Sequence, residues 1–149
     1  MTPTPAAPGA RLAGKVVLVA GAGASAAGWS IGKASCVTLA RQGAAIIALD
    51  ASLAAAEDAA HEVEQAGGSA LPVQADVADP DAMQAAVDAA MRRYGRIDAL
   101  QANAGIGQVG GPEDISLPDW DRIQQVNVTS LLIACLLYTS DAADEEDSV

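Results

Sequence analysis

The chain has 149 residues, a length typical of one domain, and 51% of them are apolar, which is too many for a disordered protein. Its 19 acidic and 8 basic residues give a net charge of −11, which argues against binding nucleic acid or an anionic membrane through a basic surface. Five of the acids lie in the last nine residues, so much of the acidic excess belongs to the tail.

The two ends and the cysteines indicate where the protein works. Residues 1–11 contain three prolines and no apolar segment of the kind that a signal peptide needs, so we expect a flexible arm. The longest apolar run, 131–137, is too short to span a bilayer. Cys36 and Cys135 lie far apart and match no metal-ligand spacing. We therefore expect a cytoplasmic protein with reduced thiols, no metal and no membrane or nucleic-acid partner.

Short apolar runs alternate along the chain with stretches of helical spacing. The short apolar runs indicate strands buried on both faces, and the stretches of helical spacing indicate helices that pack against these strands. This alternation predicts an α/β fold, a Rossmann-type doubly wound parallel sheet with helices on both faces. The predicted strands are 15–20, 44–50, 70–75 and 97–102, and the predicted helices are 31–42, 52–66, 80–94 and 117–134.

A glycine-rich loop, residues 21–32, joins the first strand to the first helix, and Asp50 ends the second strand. Such a loop lets the backbone approach a pyrophosphate, whose charge the N-terminal amides of the next helix meet. A carboxylate at Asp50 could accept hydrogen bonds from the adenosine ribose, and it would repel a 2′-phosphate. Neither Ala51 nor Ser52 offers a cation, so NAD is favoured over NADP. Two alternatives stay open: an ordinary tight turn, and Asp50 as a helix N-cap.

The loop and Asp50, with the sequence from residue 12 to residue 134, resemble the short-chain dehydrogenase/reductase family. The segment 28–34, Gly-Trp-Ser-Ile-Gly-Lys-Ala, is similar to a long-loop form found in a subset of that family, with Ser in the place of the usual second glycine. The resemblance implies that the pyrophosphate lies against Gly21, Gly28, Ser30, Ile31 and Gly32. Trp29 and Trp120 are expected to pack against the fold rather than stack on a ligand.

Three further motifs carry the same resemblance. Asp76 and Val77 are similar to the family's Asp-Val pair, which implies contact with the adenine. The segment Asn103, Ala104 and Gly105 resembles a signature that stabilises the sheet and lines the cofactor cleft. Asn127 resembles the Asn of the catalytic tetrad, whose backbone carbonyl holds a water in a proton relay. Taken alone, Asn127 would be a polar helix residue that faces solvent.

The resemblance implies an NAD-dependent oxidoreductase that transfers a hydride between the nicotinamide and a small alcohol or ketone, as a homo-oligomer when full-length. The family's general acid/base is a Tyr with a Lys four residues later, assisted by a Ser. Here the only lysines are Lys15 and Lys33, and Ala142 follows Tyr138 at that spacing. We therefore expect the cofactor-binding part of an enzyme, inactive as it stands. The alternatives are a non-catalytic dinucleotide-binding or regulatory protein complete at residue 149, and a fragment that does not fold.

The end of the sequence has an unusual resemblance of its own. Residues 135–145 resemble the in-frame translation of a transposase-type sequencing-library adapter, and they neither continue the helical pattern nor open a strand. Our interpretation is that residues 12–134 are an incomplete NAD-binding Rossmann domain and that residues 135–149 are artefactual. The alternative is a genuine acidic tail.

Overall fold

A parallel four-stranded sheet is the centre of the structure, a computed structural model that describes the backbone of residues 10–144 and the side chains of residues 10–137. The strands run side by side in the order β3-β2-β1-β4. They are β1 (Val16–Ala20), β2 (Ala45–Asp50), β3 (Ser69–Gln74) and β4 (Ala99–Ala102). The helices are α1 (Ile31–Arg41), α2 (Leu53–Gln65), α3 (Pro80–Tyr94), α4 (Leu117–Gln124) and α5 (Ser130–Asp144).

Both faces of the sheet are covered, because alternate residues of β1 and β2 point into two separate apolar clusters. Val17, Val19 and Ile46 pack with α1 and α2 on one face. Leu18 and Ile47 pack on the other face with α3 and with apolar residues of α5. All five residues of β1 are buried, as expected of a strand between two helical layers. The structure confirms the predicted Rossmann-type α/β fold.

Polar caps and one glycine explain where the helices begin and end. Ser30, Ser52 and Ser116 accept hydrogen bonds from first-turn amides of α1, α2 and α4. Asp79 does the same for α3, whose first residue is proline. Gly95 ends α3 with φ +73°, a conformation that favours glycine. These local signals lie within the sequence, so the predicted bounds agree to within one or two residues at most of these ends.

The last predicted helix differs from the structure in two ways. A π-helical turn, Gln125–Thr129, separates α4 from α5, whereas the pattern predicted one regular helix. The expectation that the helical pattern stops after Ala134 is also wrong, because α5 continues to Asp144. Leucine and alanine after that point are good helix formers, and Ile133 and Leu137 pack against the core.

The predicted arm and tail lie at the two ends of the described chain. Residues 1–9 and 145–149 lie outside the described residues, so nearly all of the predicted flexible arm (1–11) and the last five residues of the predicted tail (135–149) fall there. The artefactual origin of residues 135–149 stays a prediction. Within residues 10–144, no helix combines the length and apolar character that crossing a membrane requires.

Candidate cofactor site

The residues singled out by sequence gather at the carboxyl edge of the sheet. Ala20, the last residue of β1, pairs with Leu49 of β2 on one side and with Ala102 of β4 on the other. The glycine-rich loop, Asp50 and Asn103 therefore leave the sheet at the same level. The strand order changes direction at β1, because β2 lies on one side of it and β4 on the other. Open α/β sheets bind ligands in the crevice at such a switch point.

Two backbone amides hold the carboxylate of Asp50. The amide of Gly23 donates to Oδ2 at 2.9 Å, and the amide of Ser52 donates to Oδ1 at 3.0 Å. The N-cap of α2 is Ser52, whose hydroxyl accepts from the amide of Ala55 at 3.3 Å. The alternative role of Asp50 as a helix N-cap is therefore wrong. A carboxylate has about four acceptor positions, so two amides leave capacity for ribose hydroxyls.

The loop approaches its neighbours closely because glycines stand at the contacts. A Cβ on Gly32 would lie 1.9 Å from the carbonyl oxygen of Gly21, and a Cβ on Gly21 would lie 2.7 Å from Cα of Ala104. Asn103 stabilises this close packing, since its Nδ2 donates a hydrogen bond to the carbonyl of Gly21 at 2.9 Å. The start of α1, the end of β1 and the end of β4 are thus packed backbone against backbone.

The N-terminus of α1 faces the same crevice. The hydroxyl of Ser30 accepts from the amide of Lys33 at 3.0 Å and donates to the carbonyl of Gly23 at 2.8 Å, so it links helix and loop. Ile31, the first residue of the helix, is 76% exposed. Gly28 has φ +120° and open space around it. First-turn amides carry the positive end of the helix dipole, which attracts a phosphate.

Asp76 and Val77 follow β3 and differ in direction. Asp76 accepts hydrogen bonds from the amide of Ala78 at 2.9 Å and from the guanidinium of Arg122 at 2.8 Å. The hydrogen bond from the Ala78 amide is the largest cause that lowers the pKa of Asp76 below its usual range, and Arg122 lowers it further. The side chain of Val77 is buried in the core, so Val77 offers the crevice its backbone alone.

Asn127 lies in the π-helical turn, and its side chain is fully engaged with the loop after β4. Its Oδ1 accepts from the amide of Ile106, and its Nδ2 donates to the carbonyl of Ile106, both at 2.8 Å. The alternative of a side chain that faces only solvent is therefore wrong. A Cβ on Gly105 would be 3.5 Å from Asn127 Oδ1, so this signature residue lies beside it. Single π-helical turns occur frequently at functional sites.

Sequence reasoning missed three residues of this region. Gly23 orients Asp50 and packs so closely on α2 that an added Cβ would lie 2.4 Å from Cβ of Ala55. Its position in the glycine-rich loop was a usable signal, and Lys33 lies in the motif 28–34, but neither the Lys33–Asp58 pair nor the Arg122–Asp76 pair could be predicted, because these partners are distant in sequence. Trp29 and Trp120, which we expected to pack against the fold rather than stack on a ligand, are 64% and 49% exposed, so neither is a core residue, and that expectation stays a prediction. No cluster of three or more potential metal-ligating side chains occurs in the part of the chain that the structure describes.

Comparison with known proteins gives the same family along most of the chain. The family described as short chain dehydrogenase matches residues 15–146. The chain is 40% identical over 118 residues to versicolorin reductase stcU of Emericella nidulans, covering 78% of this chain and 43% of that protein. It is 36% identical over 118 residues to cyclohexanol dehydrogenase of an Acinetobacter species, covering 78% and 45%.

A solved structure is similar in fold as well as in sequence. The structure of NAD⁺-bound xylitol dehydrogenase aligns with a TM-score of 0.79 and 34% identity, over 87% of this chain and 48% of that chain. The present chain thus spans less than half the length of each of these three relatives.

Proposed function

The chain belongs to the short-chain dehydrogenase/reductase family, and we propose that it is the NAD-binding part of an oxidoreductase that acts on a small alcohol or ketone. One observation carries the choice of cofactor: the carboxylate of Asp50 at the end of β2, fixed by the amides of Gly23 and Ser52. A fixed carboxylate accepts both ribose hydroxyls of NAD and repels the 2′-phosphate of NADP.

The other residues of the site would each bind a different part of the dinucleotide. The backbone around Gly21, Gly28, Ser30, Ile31 and Gly32 would hold the pyrophosphate, with the α1 dipole opposing its charge. The carboxylate of Asp76 and the backbone of Val77 would hold the adenine. Asn103, Ala104 and Gly105 would lie under the nicotinamide, which exchanges a hydride with substrate when it is bound.

The residues present fit this cofactor in charge and in space. The close contacts leave no room for a Cβ at Gly21 or Gly32, so backbone forms much of the wall of the crevice there. Asp50 and Asp76 provide acceptors for hydroxyl and amino groups, while the helix end provides donors for phosphate. Asn127 would add the backbone carbonyl that holds a water for proton transfer.

Calorimetric titration with NAD and NADP tests the cofactor. We expect NAD to bind about tenfold or more tightly than NADP, because bringing a phosphate next to a carboxylate is unfavourable. Asp50→Asn should weaken NAD binding by about 10- to 100-fold through loss of charged hydrogen bonds. It should also reduce the difference in affinity between NAD and NADP. Asp88→Asn, an exposed acid on α3, is the matched control. Tighter binding of NADP than NAD by the unchanged chain would contradict the proposal.

The family resemblance implies a general acid/base made of a Tyr and a Lys four residues later. We propose that the 149-residue chain binds NAD without turnover, since no Tyr is followed by Lys four residues later. Independent genomic reads beyond codon 134 test the enzyme assignment. A Ser followed in frame by Tyr-x-x-x-Lys would support it, and a stop codon directly after Val149 would contradict it. Homo-oligomer formation at full length and a cytoplasmic location stay predictions.

A further inference from the structure

We propose that Lys33 is a positioning residue that fixes the long glycine-rich loop against α2, and thereby sets the pyrophosphate subsite relative to the ribose subsite. The inference rests on the proposed NAD function. Lys33 lies in the first turn of α1, and only 6% of its side chain is exposed. A buried ammonium is costly unless it is paired and hydrogen-bonded, so its partners identify what it holds in place.

The ammonium of Lys33 has partners on both sides of the site. It donates to the carbonyl of Gly28 at 2.8 Å, which fixes the far end of the loop. It also pairs with the carboxylate of Asp58 on α2. The ring of Trp29 lies 5.9 Å from the ammonium, within range of a cation–π contact. One side chain therefore connects the loop to the helix that follows Asp50.

The same network leads back to the ribose carboxylate. Ser30 joins the amide of Lys33 to the carbonyl of Gly23, and the amide of Gly23 holds Asp50. The loop is thus fixed near its start through Ser30 and near its end through Lys33. Gly28 has φ +120°, and this turn presents its carbonyl to the ammonium. A loop of this length needs the second attachment to hold a backbone geometry that fits a pyrophosphate.

Removing the ammonium should affect ligands that span both subsites. For Lys33→Met, we expect calorimetry on the full 149-residue chain to show about tenfold weaker binding of NAD and of ADP-ribose. Binding of adenosine, which lacks the pyrophosphate, should change less than about twofold. A general loss of folding would instead weaken the binding of NAD, ADP-ribose and adenosine alike. Lys33→Arg, which keeps the charge, should recover most of the lost affinity.

Two further variants isolate the pair. Asp58→Ala should weaken NAD binding in the same direction, and Lys33→Met with Asp58→Ala should be no weaker than Lys33→Met alone, because the two side chains act as one unit. Lys15→Met is the matched control, since Lys15 is the only other lysine and is half-exposed beside Asp98. It should bind NAD as the unchanged chain does.

Fluorescence of Trp29 gives a readout that does not depend on NAD. In a Trp120→Phe background, Lys33→Met should increase the quenching of Trp29 by acrylamide, because the loop is no longer held. Unchanged NAD and ADP-ribose affinity together with unchanged quenching would overturn the proposal. If the unchanged chain fails to bind NAD, the proposed function is wrong, and the quenching result still decides the role of Lys33. If Lys33→Met does not fold, wild-type affinity in Asp58→Ala overturns the proposal.

Discussion

At Gly32, a single missing side chain determines how closely α1 can approach the sheet. A Cβ there would lie 1.9 Å from the carbonyl oxygen of Gly21 and 2.9 Å from Nδ2 of Asn103. The carbonyl is backbone and cannot rotate away as the end of a flexible side chain could. Relief would require α1 to move away from the end of β1, which would open the crevice that we assign to the pyrophosphate.

Gly32→Ala should therefore reduce both folding and cofactor binding. We expect a loss of about 3 kcal/mol in the free energy of unfolding, as in strongly overpacked sites, measured by urea denaturation. NAD binding should fall below detection in calorimetry. Gly107→Ala is the control, because Gly107 has open space around it and no positive φ. Equal stability of the two variants would show that the close contact is absent in solution.

Among the elements, β4 depends on a charged group at its start. Asp98 accepts from the amide of Val16 at 2.8 Å, from Lys15 at 3.3 Å and from the guanidinium of Arg96. Arg96 is the main cause that lowers the pKa of Asp98 to about 2, and the Val16 amide and Lys15 add to it. The carboxylate thus joins the first residues of β1 and β4, at the end of the sheet opposite the crevice.

This arrangement predicts how stability depends on pH. A lowered pKa means that Asp98 stabilises the folded chain above the unfolded pKa of about 4, and that this contribution is lost as pH falls toward 2. Asp98→Asn should lower the free energy of unfolding at pH 7 by about 1–3 kcal/mol, as for a lost charged hydrogen bond. The difference from the unchanged chain should shrink between pH 4 and pH 2 in urea titrations. If the difference in free energy of unfolding between Asp98→Asn and the unchanged chain does not vary with pH, this role of the Asp98 carboxylate is contradicted.

The whole molecule presents an apolar surface on α5 beside the sheet. Leu131 and Leu132 are 45% and 60% exposed, and the nearby Val128 is 55% exposed. In the described residues β4 is an edge of the sheet, with β1 as its neighbour on one side. Exposed strand edges and apolar patches promote association between copies.

We therefore expect the 149-residue chain to self-associate as its concentration rises. Leu132→Lys should lower the average mass measured by light scattering, because it places a charge on the apolar surface. Val109→Lys, at a side chain that is 99% exposed on the loop after β4, is the control and should change the mass little. NAD affinity should be the same in both variants, since neither residue belongs to the cofactor site. An equal effect of the two lysines would mean that net charge alone, and not the α5 surface, controls association.

The sequence by itself determined the alternation of strands and helices along the chain, the position of the glycine-rich loop and the acid at the end of β2. These features follow from local patterns, because apolar runs, caps and glycines act within a few residues of one another. Asp50 could be proposed as a ribose-binding residue for the same reason, since its position at a strand end is a local feature.

Only the tertiary structure decided which side chains meet around the crevice. Lys33 and Asp58 are 25 residues apart, and Arg122 and Asp76 are 46 apart, so no periodicity relates them. The π-helical turn that contains Asn127 was not predicted either, and the side chain of Asn127 bonds to Ile106 across 21 residues. Contacts of this kind depend on how the helices pack on the sheet, and packing distances are not encoded in the spacing of residue types.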